Sequence, residues 1–110
     1  MIVYISGPMT GIPEFNYPAF ISAKALLEQR GFSVLSPHEA PKSDSWEGYM
    51  RHNLKLVCDS DVVCLLPGWK KSRGALLEKM VADNLGLIVW FLEWTHNNGF
   101  KLIQPIGFTA

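Results

Sequence analysis

The chain is poor in charge and in sulfur. Only 18% of its 110 residues are charged, and ten basic residues balance ten acidic ones, so the formal net charge is zero. A general binder of nucleic-acid polymers or acidic membranes needs a basic face, and the basic residues here are scattered. Their densest cluster is only Lys70, Lys71 and Arg73. Long hydrophobic runs are missing too. The longest apolar stretch, Leu85 to Leu92, falls far short of the ~20 residues that span a bilayer. Met1 to Ile5 is apolar, but it has no basic lead and turns polar at Ser6. No targeting or anchoring segment is therefore expected, and a cytoplasmic protein is. The two cysteines, Cys58 and Cys64, are expected to be reduced and buried. His38, His52 and His96 combine with them at no zinc-like spacing, so neither a metal nor a cofactor is expected.

What is present is hydrophobic: 48% of the residues, enough to bury a core in one domain over 1–110. Strand-like and helix-like segments alternate. Ile2 to Ser6 reads as a buried strand ended by Gly7 and Pro8. A helix capped by Asn16 runs to about Arg30, with Lys24 and Glu28 paired on its wet side and Gly31 ending it. Phe32 to Leu35 is a second strand, and Pro37 to Ser45 a polar loop. Trp46, Tyr49, Met50, Leu54 and Val57 fall on one helical stripe. Asp61 to Leu66 is a third strand, Arg73 to Leu85 a third helix stopped by Gly86, and Leu87 to Phe91 a fourth strand. Lys101 to Ile103 is a candidate fifth. This alternation predicts a flavodoxin-like three-layer α/β/α fold with a four- to five-stranded parallel sheet in the order 2-1-3-4-5. Its site belongs at the carboxyl ends of strands one and three, where the chain order reverses.

Three features fall at those ends. The first is Tyr4-Ile5-Ser6-Gly7-Pro8-Met9-Thr10-Gly11, a tight turn whose amides can point at an anion. Its glycines do not make the dinucleotide fingerprint. The second is Ser72-Arg73-Gly74-Ala75-Leu76-Leu77-Glu78. Lys71-Ser72 is similar to the end of a phosphate-binding P-loop, but Lys70 stands where its glycine belongs. Ser72 sits where a phosphate would meet free helix amides. Glu78 falls at the border of the apolar side, whereas Lys79 and Asp83 pair on the wet side. The third is Asn53, a polar member of the Trp46 stripe that needs a buried partner or a ligand. Each position also has an ordinary structural explanation: Tyr4 as core, Ser72 as helix cap, Glu78 as amphipathic edge, Asn53 as a satisfied amide. Asp61 reads as a loop-orienting cap.

Taken together these motifs resemble the nucleoside 2-deoxyribosyltransferase superfamily. More narrowly, they resemble small phage and bacterial proteins classed as a domain of unknown function, DUF4406. The shared segments are Tyr4 to Gly11 and Leu65-Leu66-Pro67-Gly68-Trp69 followed by Lys71-Ser72-Arg73-Gly74, within residues 1–91. The resemblance implies cleavage or transfer at the N-glycosidic bond of a deoxynucleoside or deoxynucleoside 5′-monophosphate. It assigns Glu78 as the nucleophile and Tyr4 as its orienting partner. Ser-x-Gly-x-x-x-Glu matches the deoxynucleoside 5′-monophosphate N-glycosidases, which points to a nucleotide substrate. Gly7, Pro8, Met9, Thr10, Gly11, Ser72 and Gly74, with Trp69, would then bind it, and Lys71 or Arg73 would add charge. At Asn53 the superfamily usually has an acid–base aspartate, and asparagine cannot move a proton. A non-catalytic nucleotide-binding module is therefore the alternative. A flavin carrier using Trp69 and Trp90 is a weaker one. The resemblance also implies a homo-oligomer, with Trp94, Phe100, Leu102 and Ile106 as candidate interface residues.

Overall fold

Strands that are apolar on both faces need cover on both, and three helices supply it. The computed structural model describes residues 1–40 and 43–105. Its elements are β1 (Ile2–Ser6), α1 (Tyr17–Gln29), β2 (Ser33–Leu35), α2 (Trp46–Cys58), β3 (Val62–Leu65), α3 (Arg73–Asn84), β4 (Ile88–Trp94) and β5 (Phe100–Ile103). The sheet order is β2-β1-β3-β4-β5, as expected. The first four strands are parallel, with Tyr4 opposite Leu35 on one side and Val63 on the other.

The fifth strand departs from a fully parallel sheet: β5 runs antiparallel to β4. The reason is the connection. A tight turn joins them, in which Thr95 N–H donates to the Gly99 carbonyl at 3.0 Å. So short a link permits a hairpin and not a crossover. β4 also continues to Trp94, three residues past its expected end at Phe91.

Period-two alternation sorts the core. Val3, Ile5, Val62, Cys64 and Trp90 point to one face and meet Phe20, Ala23 and Leu27 of α1. Burying a side chain such as Phe20 or Leu27 contributes about 1.5–3 kcal/mol. Tyr4, Val63 and Leu65 point to the other face, against Val57 of α2 and Ala75 and Ala82 of α3. Tyr4 and Ser6 therefore share the α2–α3 side of the sheet.

Local details differ from expectation where the partner lies far off in sequence. Lys24 does not pair with Glu28; its Nζ donates to Glu39 at 2.7 Å, because the Pro37–Glu39 turn folds back to α1. Asn16 occupies the helix-cap position without capping. It has a left-handed φ of 61°, and its Nδ2 donates to the Pro8 carbonyl at 2.9 Å. Glu14 and Phe15 before it also have positive φ. Gly31 does end α1, with φ +90°. Both cysteines are free, but Cys58, expected to be buried, is exposed at the last turn of α2. Cys64 is buried, and burial pushes its thiol up to about 12. Asp61 does orient the chain, accepting from the Ile2 N–H at 2.8 Å. Among the described residues no helix is long and apolar enough to cross a membrane.

Candidate active site

The site begins with a carboxylate held away from water. The β3–α3 connection brings α3 back over the sheet face that carries Tyr4 and Ser6. Glu78 there is only 4% exposed. The Tyr4 hydroxyl donates to Oε2 at 2.6 Å and the Ser6 hydroxyl to Oε1 at 2.6 Å. Hydrogen bonds from two hydroxyls fix both carboxylate oxygens and favour the ionised form. Burial opposes them and prevails, pushing Glu78 up from 4.5 to about 7. Burial, then the neighbouring Glu78 charge and hydrogen bond, hold the Tyr4 phenol well above its ordinary value. Tyr4 thus remains a donor while Glu78 titrates near neutrality.

A cavity of about 400 Å³ lies against this carboxylate. One wall is the loop after β1, from Gly7 to Thr10. Gly7 has to lack a side chain, since a Cβ there would stand 2.7 Å from Leu66 Cβ. The second wall is the N-terminal end of α3 with the turn before it: Lys71, Ser72, Arg73, Gly74 and Ala75. Ser72 does cap α3, its Oγ accepting from Ala75 N–H at 3.2 Å, and it lines the cavity as well. The third wall is the α2 stripe of Trp46, Tyr49, Met50 and Asn53, with Pro37 beside it.

Two features of the α2 wall are unusual. Asn53 is 1% exposed, and its Oδ1 finds no hydrogen-bond donor among the described residues. Leaving such an acceptor unmatched costs about 1–3 kcal/mol. Beside it the Tyr49 hydroxyl lies 3.0 Å from both the Pro37 carbonyl and Met9 Sδ. Second, the Arg73 guanidinium lies over the Trp46 ring, 3.7 Å from its centroid.

Of the residues singled out from sequence, Glu78, Asn53, Gly7, Pro8, Met9, Thr10, Ser72 and Gly74 line this cavity, and Tyr4 anchors Glu78 from beneath. Gly11 and Trp69 do not. Gly11, at φ +80°, lies beyond the lining stretch of its loop. Trp69 turns toward the sheet and packs on Phe91, ring centroids 5.9 Å apart. Trp90 is likewise a packing residue, edge-on to Phe32 at 5.1 Å, so the pair forms no flavin platform. Ser6 joins the site without a signal of its own beyond standing two residues after Tyr4, on the same strand face. Trp46, Tyr49 and Met50 carry only a packing pattern in the sequence, and here they line the cavity.

The family profile described as "Domain of unknown function (DUF4406)" matches residues 1–91. No curated protein matches the chain in sequence. Among solved structures, a 2-desoxiribosyltransferase from Leishmania mexicana superimposes with a TM-score of 0.68 at 14% identity, over 91% of this chain and 77% of that one. A 2-deoxyribosyltransferase from Bacillus psychrosaccharolyticus gives 0.66 at 19% identity, over 83% and 71%. The chain belongs to the DUF4406 family and has the nucleoside 2-deoxyribosyltransferase-like fold.

Proposed function

We propose that the chain cleaves, or transfers deoxyribose across, the N-glycosidic bond of a deoxynucleoside or deoxynucleoside 5′-monophosphate. The observation that carries this is the buried Glu78 carboxylate, gripped by Tyr4 and Ser6 against a cavity. A glutamate buried at a free-energy cost calls for a use. In the proposed reaction one Glu78 oxygen bonds to C1′ while the C1′–N bond breaks and its electron pair leaves with the base. The carboxylate stabilises the oxocarbenium-like sugar before it bonds. Water or a second base then attacks C1′ and releases Glu78. Tyr4 and Ser6 aim the carboxylate. The Gly7–Thr10 loop, Ser72, Lys71 and Arg73 hold the 5′-phosphate locally, beside the positive end of α3. That accounts for phosphate binding without a basic surface. The fold shared with 2-deoxyribosyltransferases supports the same chemistry.

The test is incubation with each deoxynucleoside and its 5′-monophosphate, with and without an acceptor base, monitoring free base. Release is expected, and Glu78→Gln should abolish it. No release from any substrate would sink the proposal. The second reading, a nucleotide-binding module without turnover, is favoured by one residue, the amide at Asn53. Thermal stabilisation by nucleotides without base release would select it.

A homo-oligomer belongs to the same proposal. Trp94 is 57% exposed while stacked on Phe100 at 4.6 Å, as at an uncovered apolar edge. Ile106, expected beside them, lies outside the described residues. Sedimentation at micromolar concentration should give more than one copy, and a monomer would contradict it.

A further inference from the structure

The α2 wall has a chemistry that Glu78 alone does not explain. Helical spacing puts Trp46, Tyr49 and Asn53 on one stripe of α2, and all three line the cavity. The groups they bring are electron-rich: two aromatic rings and the unmatched Asn53 carbonyl oxygen. Met9 adds a thioether sulfur 3.0 Å from the Tyr49 hydroxyl. Aromatic faces and carbonyl oxygens attract positive charge and oppose negative charge. A planar cation already rests there, the Arg73 guanidinium over Trp46.

Departure of a neutral base leaves negative charge on a ring nitrogen, which enzymes relieve with a positioned acid. The α2 stripe offers none. Asn53 has no dissociable proton. The Tyr49 hydroxyl is within hydrogen-bond distance of the Pro37 carbonyl, and burial, only partly offset by Asn53 beside it, raises its pKa, which weakens it as an acid. Glu78 has to be ionised to attack and so cannot deliver the proton as well.

Resting on the reading of Glu78 as nucleophile, we propose that the preferred substrates are deoxynucleotides whose base is already cationic, such as an N7-alkylated purine or a pyridinium. The C1′–N bond then breaks with its electron pair neutralising the ring, while a Glu78 oxygen bonds to C1′. No proton is required at this step. Water next attacks C1′, the bond to Glu78 breaks, and the surplus proton passes to solvent. The cationic base stacks on Trp46 in place of Arg73 and lies against Asn53. The phosphate stays at the α3 end, near Lys71 and Ser72.

The experiment compares base release from 7-methyl-2′-deoxyguanosine 5′-monophosphate and from its unmethylated parent, each against a Glu78→Gln blank that corrects for spontaneous loss. The expected kcat/KM for the methylated substrate is higher by about 10²–10⁴-fold, the usual worth of a missing general acid. Asn53→Asp supplies an acid and should speed the unmethylated substrate by at least about 10²-fold, narrowing the gap between the two substrates; an unchanged gap would count against the proposal. The pH profile of the unaltered protein is a second readout that needs no variant at this position. Release from the unmethylated parent, whose ring does not titrate near neutrality, should rise through about pH 7 to a plateau, following Glu78. A descending limb would betray an acid and overturn the proposal. A nicotinamide deoxynucleotide should also be cleaved, and its resistance would count against charge as the criterion. Equal kcat/KM for the methylated and unmethylated substrates overturns the proposal and leaves Glu78 as nucleophile. No release from either overturns both.

Discussion

Glu78→Gln is the perturbation that separates a working carboxylate from a structural one. In the folded protein Glu78 titrates near pH 7; unfolded, it returns to about 4.5. Between those values the folded state binds more protons than the unfolded state. Stability therefore falls as pH rises from about 4.5 to about 7, and stays level above that. At about 1.4 kcal/mol per pH unit, this interval amounts to about 3 kcal/mol, an order-of-magnitude figure. Glutamine keeps the shape and stays neutral. Its amide oxygen can still accept from Tyr4 or Ser6. The variant should then be more stable than the parent at pH 8, by up to about 3 kcal/mol, or roughly 10 °C in Tm for a domain this size. It should equal the parent near pH 4.5 and lose the downward slope between. Urea unfolding at pH 4.5, 6, 7 and 8 measures this directly. A variant that is less stable at pH 8, or that keeps the parent's slope, refutes the account of a buried, costly carboxylate. Gain of stability with loss of base release is the pattern expected of a functional group.

Other perturbations test the supporting parts. Tyr4→Phe removes a hydrogen bond to a charged acceptor worth about 1.5–3 kcal/mol, so the pH midpoint of base release should move up by about one to two units. An unmoved midpoint would clear Tyr4 of tuning Glu78. Gly7→Ala forces a methyl against Leu66 Cβ at 2.7 Å and should destabilise by about 1–3 kcal/mol in urea. Asn16→Ala frees the Pro8 carbonyl and places alanine at φ 61°, so stability should fall by about 1 kcal/mol or more and KM should rise. Lys71→Ala should raise KM for 5′-monophosphates while leaving that for nucleosides nearly unchanged; equal changes in both would argue against a phosphate role.

The layers of the fold were legible in the sequence because they follow from local patterning. Apolar runs such as Val62–Leu65, separated by helices with Gly31 and Gly86 behind them, admit few sheet orders. Glu78 stood out for a physical reason: helical spacing set it on the apolar border while Lys79 and Asp83 took the wet side. They do pair there, at 2.7 Å. What failed depended on contacts distant in sequence. Lys24 chose Glu39 over Glu28 because a turn fifteen residues on folds back beside it. Trp69 enters the site only through the family resemblance, yet its ring direction is set by Phe91. Ser6 and the direction of β5 were readable. Strand alternation places Ser6 beside Tyr4, and so short a stretch between Trp94 and Phe100 leaves no room for a crossover. The aromatic stripe of α2 carried no mark of function, because core and ligand-facing aromatics have the same spacing.

The central claim is a covalent bond between deoxyribose and Glu78. It is tested most directly by incubating the protein with a 2′-fluoro-2′-deoxynucleotide analogue, whose sugar fluorine slows breakdown of a glycosyl-enzyme, and then mapping the labelled peptide by mass spectrometry. The account predicts one sugar per chain, attached at Glu78 and absent from Glu78→Gln. Base release without an adduct, or an adduct on any other residue, would contradict it.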